Sequence, residues 1–454
     1  IFSLDAIYPE LVHSTKSFAE TAKIYGVIFD LPMAFIEKEL LIEDSKIYFI
    51  LRHLFNFLIF FISSIFFYFL LKKRFTKNLS LIGLLFIILS PRIFAESFYN
   101  IKDIVFLSFF IISMFFAINF LDKASYKNIF FSSLTCSFVV ATKVIGIIVP
   151  FIIFVFFIHK MMDDKKNLKI NIIKIIIFFT LTIVFTIIFW PYLWNNPFTN
   201  FLHALKTFSS HPWTGAIFYF GDYVSALNLP WHYPIVWILI SIPIIYLLLF
   251  ILGSTLILTR LSLRFINLSP KKQFNDLWRG NKERMDIIFF SIFYFTLFLV
   301  IELNATLYNG WRHLYFIYPS LIFISIRGLE YLSKTFFSKY LLIIIFLFLL
   351  NTSFWMVKNH PYQFVYFNKF AGNNVGNYFE LDYWGTSNRS VLEFIAKNDK
   401  RNDIKVHVYS NSPYYFSLLL ADKEDRDRIK FVNDLNKADY LVTNHYYQKN
   451  NPIV

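Results

Sequence analysis

Between Ser90 and Asp103 the chain reads SPRIFAESFYNIKD. Arg92, Glu96, Lys102 and Asp103 therefore sit between two apolar runs of membrane-spanning length. Ionisable groups at a membrane boundary are costly unless solvated or paired, so this cluster marks a candidate site. The bland alternative is a water-exposed loop between two helices. Lys143 is a lone cation inside another apolar stretch and needs an anion or water beside it. Arg312 and His313 close the segment ELNATLYNGWRH and open the next apolar run. A guanidinium there suits bidentate binding of a phosphate. The plain reading is an arginine whose head snorkels to the interface.

The elements that must position these groups are membrane helices. Of 454 residues, 57% are hydrophobic and 21% aromatic, with 60 Phe, which excludes a single soluble globular domain. Uncharged runs of about 18 residues or more read as transmembrane helices. The expected fold class is a polytopic α-helical membrane protein with a small C-terminal α/β domain on the outer face. Residues 1–46, with Pro9 and Pro32, read as an outer-face loop with interfacial helices. Residues 47–356 read as the transmembrane domain and 357–454 as the C-terminal domain. About ten spans are expected, near 48–71, 79–95, 104–121, 128–141, 143–158, 170–189, 233–252, 286–301, 313–327 and 340–356. The chain starts with Ile in a polar stretch, which suggests an N-terminal truncation that removed a first helix.

The net charge of +14 fits positive-inside topology better than a nucleic-acid partner, because most Lys and Arg fall in short loops between apolar runs. With residues 1–46 outside, the basic loops 72–78, 122–127, 159–169, 259–285 and 328–339 all fall inside. This requires the run 128–158 to cross twice, with a break around Thr142–Gly146. The cluster at 90–103, Lys143, the loops 190–232 and 302–312 and the C-terminal region then share one face. In a bacterial inner membrane that face is periplasmic. The loop 190–232 is rich in Trp and Tyr, which commonly anchor in the headgroup layer. His211, Asp222 and His232 are its candidate substrate or metal contacts. The single cysteine, Cys136, permits no internal disulfide. From 357, a Gly/Asn-rich linker with aromatics leads into short strands near 404–410, 429–433 and 438–446, alternating with helices near 387–398 and 412–421.

Four segments carry a resemblance to a known group: YGVIFDLP (25–32), SPRIFAESFYNIKD (90–103), ATKVIGIIVP (141–150) and YNGWRHLYFIYP (308–319). HPYQFVYFN (360–368) and FELDYWGTS (379–387) extend it. The pattern resembles the GT-C superfamily of integral-membrane glycosyltransferases, and within it the bacterial protein-mannosyltransferase-like and aminoarabinose-transferase-like enzymes. The resemblance implies transfer of a sugar from a polyprenyl-phosphate carrier to a lipid, glycan or protein acceptor at the outer face, mostly with inversion. It implies an acid as general base, and cations or a divalent metal to stabilise the departing phosphate. Asp103 matches one family acid, with Glu96 beside it as a further catalytic candidate. The other family acid lies upstream of YGVIFDLP, before residue 1, and Asp5 is its fallback. Arg312 and Lys143 match the basic groups at the carrier phosphate, and Arg92 and His313 are further phosphate-binding candidates. Tyr25, His211, Asp222 and Tyr308 are the substrate-binding candidates. A carboxylate at the start of a span is favoured in its ionised form by the helix N-terminus. Whether it acts as base or holds a metal stays open.

A transporter or flippase for lipid-linked sugars is the rival class. Transporters often carry internal repeats and ionisable or helix-breaking residues near the bilayer midplane. Here no repeat is evident and the charges gather at one face. A non-catalytic scaffold would leave Asp103, Lys143 and Arg312 without a shared purpose.

Overall fold

The computed structural model describes residues 24–163, 165–209, 213, 215–266, 278–334, 338–409 and 414–444. Seven of its helices are long and apolar enough to cross a membrane: Ser45–Lys72, Asp103–Asp122, Val144–Met162, Leu168–Phe189, Ile244–Ile266, Gly280–Glu302 and Tyr340–Lys358. An eighth crossing arises if Lys77–Ile88 and Pro91–Tyr99, bent by 62° at Ser90, form one span. The count is below the ten expected. Two of the expected spans are helices of 17 and 15 residues, Tyr126–Thr142 and Tyr318–Leu332, packed inside the bundle. A third, expected at 233–252, is cut at Pro243. Ile242 is held extended there, as a residue before proline prefers, so Tyr233–Ser241 is a separate short helix.

We number the helices in chain order: α1 Asp30–Glu39, α2 Ser45–Lys72, α3 Lys77–Ile88, α4 Pro91–Tyr99, α5 Asp103–Asp122, α6 Tyr126–Thr142, α7 Ile148–Asp163, α8 Leu168–Phe189, α9 Pro197–Ser209, α10 Tyr233–Ser241, α11 Ile244–Ile266, α12 Gly280–Glu302, α13 Tyr318–Leu332, α14 Ser338–Lys358, α15 Thr386–Asn398, α16 Tyr414–Leu419 and α17 Lys423–Arg428. Local sequence sets several ends. Asp44 caps α2 by accepting the N–H groups of Lys46 (2.7 Å) and Ile47 (3.2 Å). Pro91 takes the first position of α4, where its missing N–H costs nothing. The expected break inside 128–158 is present: α6 ends at Thr142, Lys143 is extended, and a 3₁₀ turn at Val144–Ile147 leads into α7.

Helix α5 is the axis of the bundle. Its apolar window is 72% buried, against 22% for the outer helices α8 and α14, and it packs on both α2 and α6. Helix α11 packs closely on α13 through two glycines. A side chain at Gly253 would run into the Ile324 carbonyl, and one at Gly328 into that of Leu249. Small residues permit such backbone approach where no hydrophobic drive holds helices together in lipid.

A carboxylate at each end of α5 joins an ionic cluster. Asp103 begins it, and Asp122 ends it against Lys73 (3.1 Å) and Arg284 (2.6 Å). Twenty residues at about 1.5 Å each put these clusters roughly 30 Å apart. At the Asp122 end lies a second network. Asp286 is fully buried and accepts from Arg74 (2.7 and 3.2 Å) and Arg260 (2.8 Å), while Glu330 pairs with Arg74 (3.1 Å) and Arg327 (3.4 Å).

The C-terminal region differs from a free linker followed by a domain. Residues 360–385 are built into the Asp103 end of the bundle. Asn368 donates its side-chain amide to the carbonyls of Leu239 (2.6 Å) and Ile242 (2.7 Å) and its backbone N–H to that of Ile240 (2.8 Å). These are the orphan carbonyls left where α10 stops. Phe364, Phe379 and Tyr383 are buried. The α/β unit begins at α15, whose first N–H groups, at Thr386 and Ser387, are capped by Asp382 (2.9 Å each). Its sheet is parallel, in the order β4–β3–β5: β3 Ile404–Val408 in the centre, β4 Ile429–Phe431 and β5 Tyr440–Val442 at the edges. A hairpin, β1 Ala216–Tyr219 and β2 Asp222–Ser225, touches the C-terminal segment through Tyr219 and Phe379. The unit also meets the start of α2, where Lys46 pairs with Asp422 (2.5 Å) and Arg426 reaches Ser45.

Candidate active site

Three elements far apart in sequence meet at Asp103. The break after α6 presents Lys143, whose ammonium bonds Oδ1. The 3₁₀ turn Arg312–Ile317 ahead of α13 presents Arg312, whose Nη1 bonds Oδ2 at 2.9 Å. Asn100 supplies the remaining contacts: its Nδ2 donates to Oδ2 (2.9 Å) and its Oδ1 accepts the Asp103 N–H (2.9 Å). Asp103 is only 2% exposed at its side chain, whereas Lys143 and Arg312 keep 16% and 12%. The carboxylate is thus more enclosed than either cation. Two cations and one carboxylate leave one formal positive charge, so the trio suits a further monoanion.

Aromatic rings frame the cations. The Arg312 guanidinium lies over Tyr308 (4.7 Å) and Trp384 (5.2 Å), and Lys143 over Phe106 (5.6 Å). Tyr308 also packs against Trp213 (4.5 Å) and His313 (4.6 Å). Tyr25 borders the same cluster, with the Lys102 ammonium 5.0 Å from its ring and Phe208 of α9 at 4.6 Å. Gly26 makes this possible: its N–H donates to the Ala141 carbonyl at 2.9 Å, and a Cβ there would collide with that carbonyl. Lys102 turns outward to Asp30 (3.0 Å), which also holds Arg52 (3.0 Å). Burial pushes the Asp30 carboxyl up, but Lys102 and Arg52 outweigh it and hold it below the ordinary carboxylate range.

Of the sequence candidates, Asp103, Lys143, Arg312, His313, Tyr25 and Tyr308 gather here. Glu96 lies two hydrogen bonds from Asp103, through Asn100 (2.6 and 2.9 Å). Arg92 stands apart from the two cations, against the C-terminal segment. Its Nε donates to the Tyr366 carbonyl (3.1 Å) and its guanidinium covers Phe367 (4.6 Å) and Trp237 (5.2 Å). Asp222 opens β2 on the exposed side of its hairpin. His232 bonds the Tyr219 hydroxyl (2.7 Å). Asp5 and His211 lie outside the described residues. Among the described residues, no group of three or more His, Cys, Asp and Glu is placed to hold a metal ion. The donor set at Asp103 does not fit a divalent cation, since both carboxylate oxygens already face cations or an amide N–H.

Sequence reasoning missed Asn100, Tyr315, Glu380, Tyr383 and Trp384. The spacing of Glu96, Asn100 and Asp103 (i, i+4, i+7) was a legible signal, since such positions share a helix face. Nothing local marked Glu380. It is fully buried, accepts the Phe218 N–H at 3.3 Å through Oε1, and among the described residues has no hydrogen-bond partner at Oε2. Burial pushes its carboxyl up to about 8, against the lowering effects of the Phe218 N–H, Arg312 and Arg92. Its folded value thus lies above the ordinary one, so the folded form holds a proton that the unfolded chain releases. The resulting stability is complete below about pH 4.5 and is lost as pH rises through about 8. Hydrogen exchange of residues 360–384, taken relative to the intrinsic rate at each pH, should therefore quicken between pH 6 and 9, and Glu380→Gln should flatten that dependence. An equal rise in both proteins would exclude Glu380 as its source.

Residues 49–190 match the family model for dolichyl-phosphate-mannose-protein mannosyltransferase. Over this stretch the chain is GT-C-like and mannosyltransferase-like. The matched part covers less than half of the 454 residues but contains Glu96, Asn100, Asp103 and Lys143. Arg312 and the C-terminal segment lie beyond it. The match points to a glycosyltransferase of the GT-C type, and with the apolar helices it supports an integral membrane protein. A comparison with curated proteins found no match.

Proposed function

We propose that the chain transfers a sugar from a polyprenyl-phosphate carrier to an acceptor hydroxyl or amine at the outer, periplasmic face of a bacterial inner membrane. The observation that carries this reading is Asp103 held between Lys143 and Arg312 at one end of the membrane helices. The orientation is supported by the basic residues gathered at the opposite end, among them Lys73, Arg74, Arg260, Arg264, Arg284 and Arg327.

Asp103 occupies the position between the cations that a phosphate would take. A sugar phosphodiester brings one negative charge, which matches the single positive charge of the trio. When its phosphate engages Arg312 and Lys143, Asp103 is released from one of them and can accept a proton. The acceptor oxygen or nitrogen then attacks the anomeric carbon as the bond from that carbon to the phosphate oxygen breaks. The acceptor proton goes to Asp103, and the polyprenyl phosphate leaves with a second negative charge, which the two cations stabilise. Tyr308, Tyr25 and Trp384 wall the place where the sugar would lie.

The test is loss of label from polyprenyl-phosphate hexose in membranes carrying the full chain. Arg312→Ala should raise the donor KM roughly 10- to 100-fold, as expected when one charge-assisted phosphate contact is lost. Lys143→Ala should act in the same direction. An unchanged donor KM in both would mean that these cations serve Asp103 alone.

A further inference from the structure

Glu96 is a carboxylate with no exposure and, among the described residues, no ion-pair partner and only neutral hydrogen-bond donors. Oε1 accepts two phenol hydroxyls, Tyr315 at 2.7 Å and Tyr383 at 2.8 Å. Oε2 accepts Nδ2 of Asn100 at 2.6 Å. Burying such a group is costly unless hydrogen bonds replace its water, and these three bonds do so.

Asn100 sits between α4 and α5, and its side chain caps the start of α5. The two Nδ2 protons are divided between Glu96 and Asp103, and Oδ1 takes the Asp103 N–H. The amide can lie only one way round, because its reverse would aim Oδ1 at two carboxylates. Asn100 therefore helps fix the Oδ2 oxygen of Asp103, which it shares with Arg312. Tyr315 belongs to the same turn as Arg312, and Tyr383 belongs to the C-terminal segment. An unbroken hydrogen-bonded path thus runs from Tyr383 through Glu96 and Asn100 to Asp103.

We infer that Tyr383, Glu96 and Asn100 form a positioning relay through which the docked C-terminal segment sets the orientation of the Asp103 carboxylate. This rests on the reading of Asp103 given under the proposed function. It assigns Glu96 a role at one remove from substrate. It also explains why a segment 287 positions from Glu96 is inserted into the membrane domain at this point. Any movement of residues 360–384 that withdraws the Tyr383 hydroxyl loosens the carboxylate and also shifts Trp384 against the Arg312 guanidinium.

Two measurements on the full chain in membranes test it. The first needs no substrate: the infrared carboxylate band that disappears in Asp103→Asn. It should shift in Asn100→Ala, in Glu96→Asp, which keeps the charge but shortens its reach, and in Tyr383→Phe, which keeps the packing and removes only the hydroxyl. An unmoved band in Tyr383→Phe and Glu96→Asp overturns the relay, whatever the activity. The second is turnover of labelled polyprenyl-phosphate hexose per folded molecule. Asn100→Ala and Glu96→Asp should each lower kcat about tenfold with donor KM within about twofold, and Tyr383→Phe about threefold. The Asn100→Ala, Glu96→Asp double variant should be no slower than Asn100→Ala alone, since both cut one path. Multiplying losses, or a rise in KM with kcat intact, overturn the inference. A band that shifts while turnover survives Asp103→Asn keeps the relay and removes the catalytic reading of Asp103.

Discussion

Replacing Asp103 with asparagine is expected to lower kcat for sugar transfer by about a thousandfold while leaving donor binding as tight as before or tighter. Loss of a general base costs on the order of 10² to 10⁴ in rate, about 3 to 5 kcal/mol of barrier. The second half of the expectation comes from the geometry. Asparagine keeps the size of the side chain but removes the negative charge that now lies between Lys143 and Arg312. The carrier phosphate then has no competitor for either cation. A variant in which Asp103 merely held the cations in place would behave in the opposite way, with a higher donor KM and a preserved kcat. Donor-dependence curves for label release in membranes separate the two. Both outcomes are measured per inserted, folded molecule, because Asp103 also anchors the meeting of α5, the α6 break and the turn before α13.

The second large effect concerns stability. Asp286→Ala is expected to destabilise the folded bundle by about 3–5 kcal/mol, the usual penalty for breaking a buried ion pair. Asp286 is fully buried and takes hydrogen bonds from Arg74 and Arg260. Its removal takes a carboxylate from Arg74, Arg260 and Arg327 and leaves Glu330, which pairs with Arg74, Arg327 and Lys334, to balance the cluster. The change lies at the Asp122 end of α5, roughly 30 Å from Asp103. The prediction is therefore a lower midpoint of thermal unfolding in detergent, a smaller folded yield, and unchanged kcat and donor KM for the molecules that remain folded. A fall in kcat per folded molecule would mean that the two ends of the bundle are coupled.

The sequence by itself determined that the chain is a bundle of membrane helices, where most of them begin and end, and which polar groups cluster at one end. These are local properties. A bilayer demands long apolar runs, and charges are expelled to their ends, so the information lies in consecutive residues. The break at Lys143 was legible for the same reason, because a cation in an apolar stretch has to leave the helix line or find an anion. The α/β alternation after residue 386 was likewise readable from short strand and helix patterns. Pro243 marks why the helix expected at 233–252 divides instead.

Only the tertiary structure decided which charges meet. Asp103 is paired with residues 40 and 209 positions away, and the angles at which α5, α6 and α13 pack leave no trace in any one segment. Arg92, in the same motif as Asp103, looked equally suited to a phosphate. Its place on α4 instead turns it to Tyr366 and Phe367. The Gly/Asn-rich stretch after residue 357 read as a linker because its composition favours irregular backbone. Its irregular backbone is what lets it thread into the end of the bundle and carry Glu380 and Tyr383 to burial, with Asn368 satisfying the carbonyls left where α10 stops.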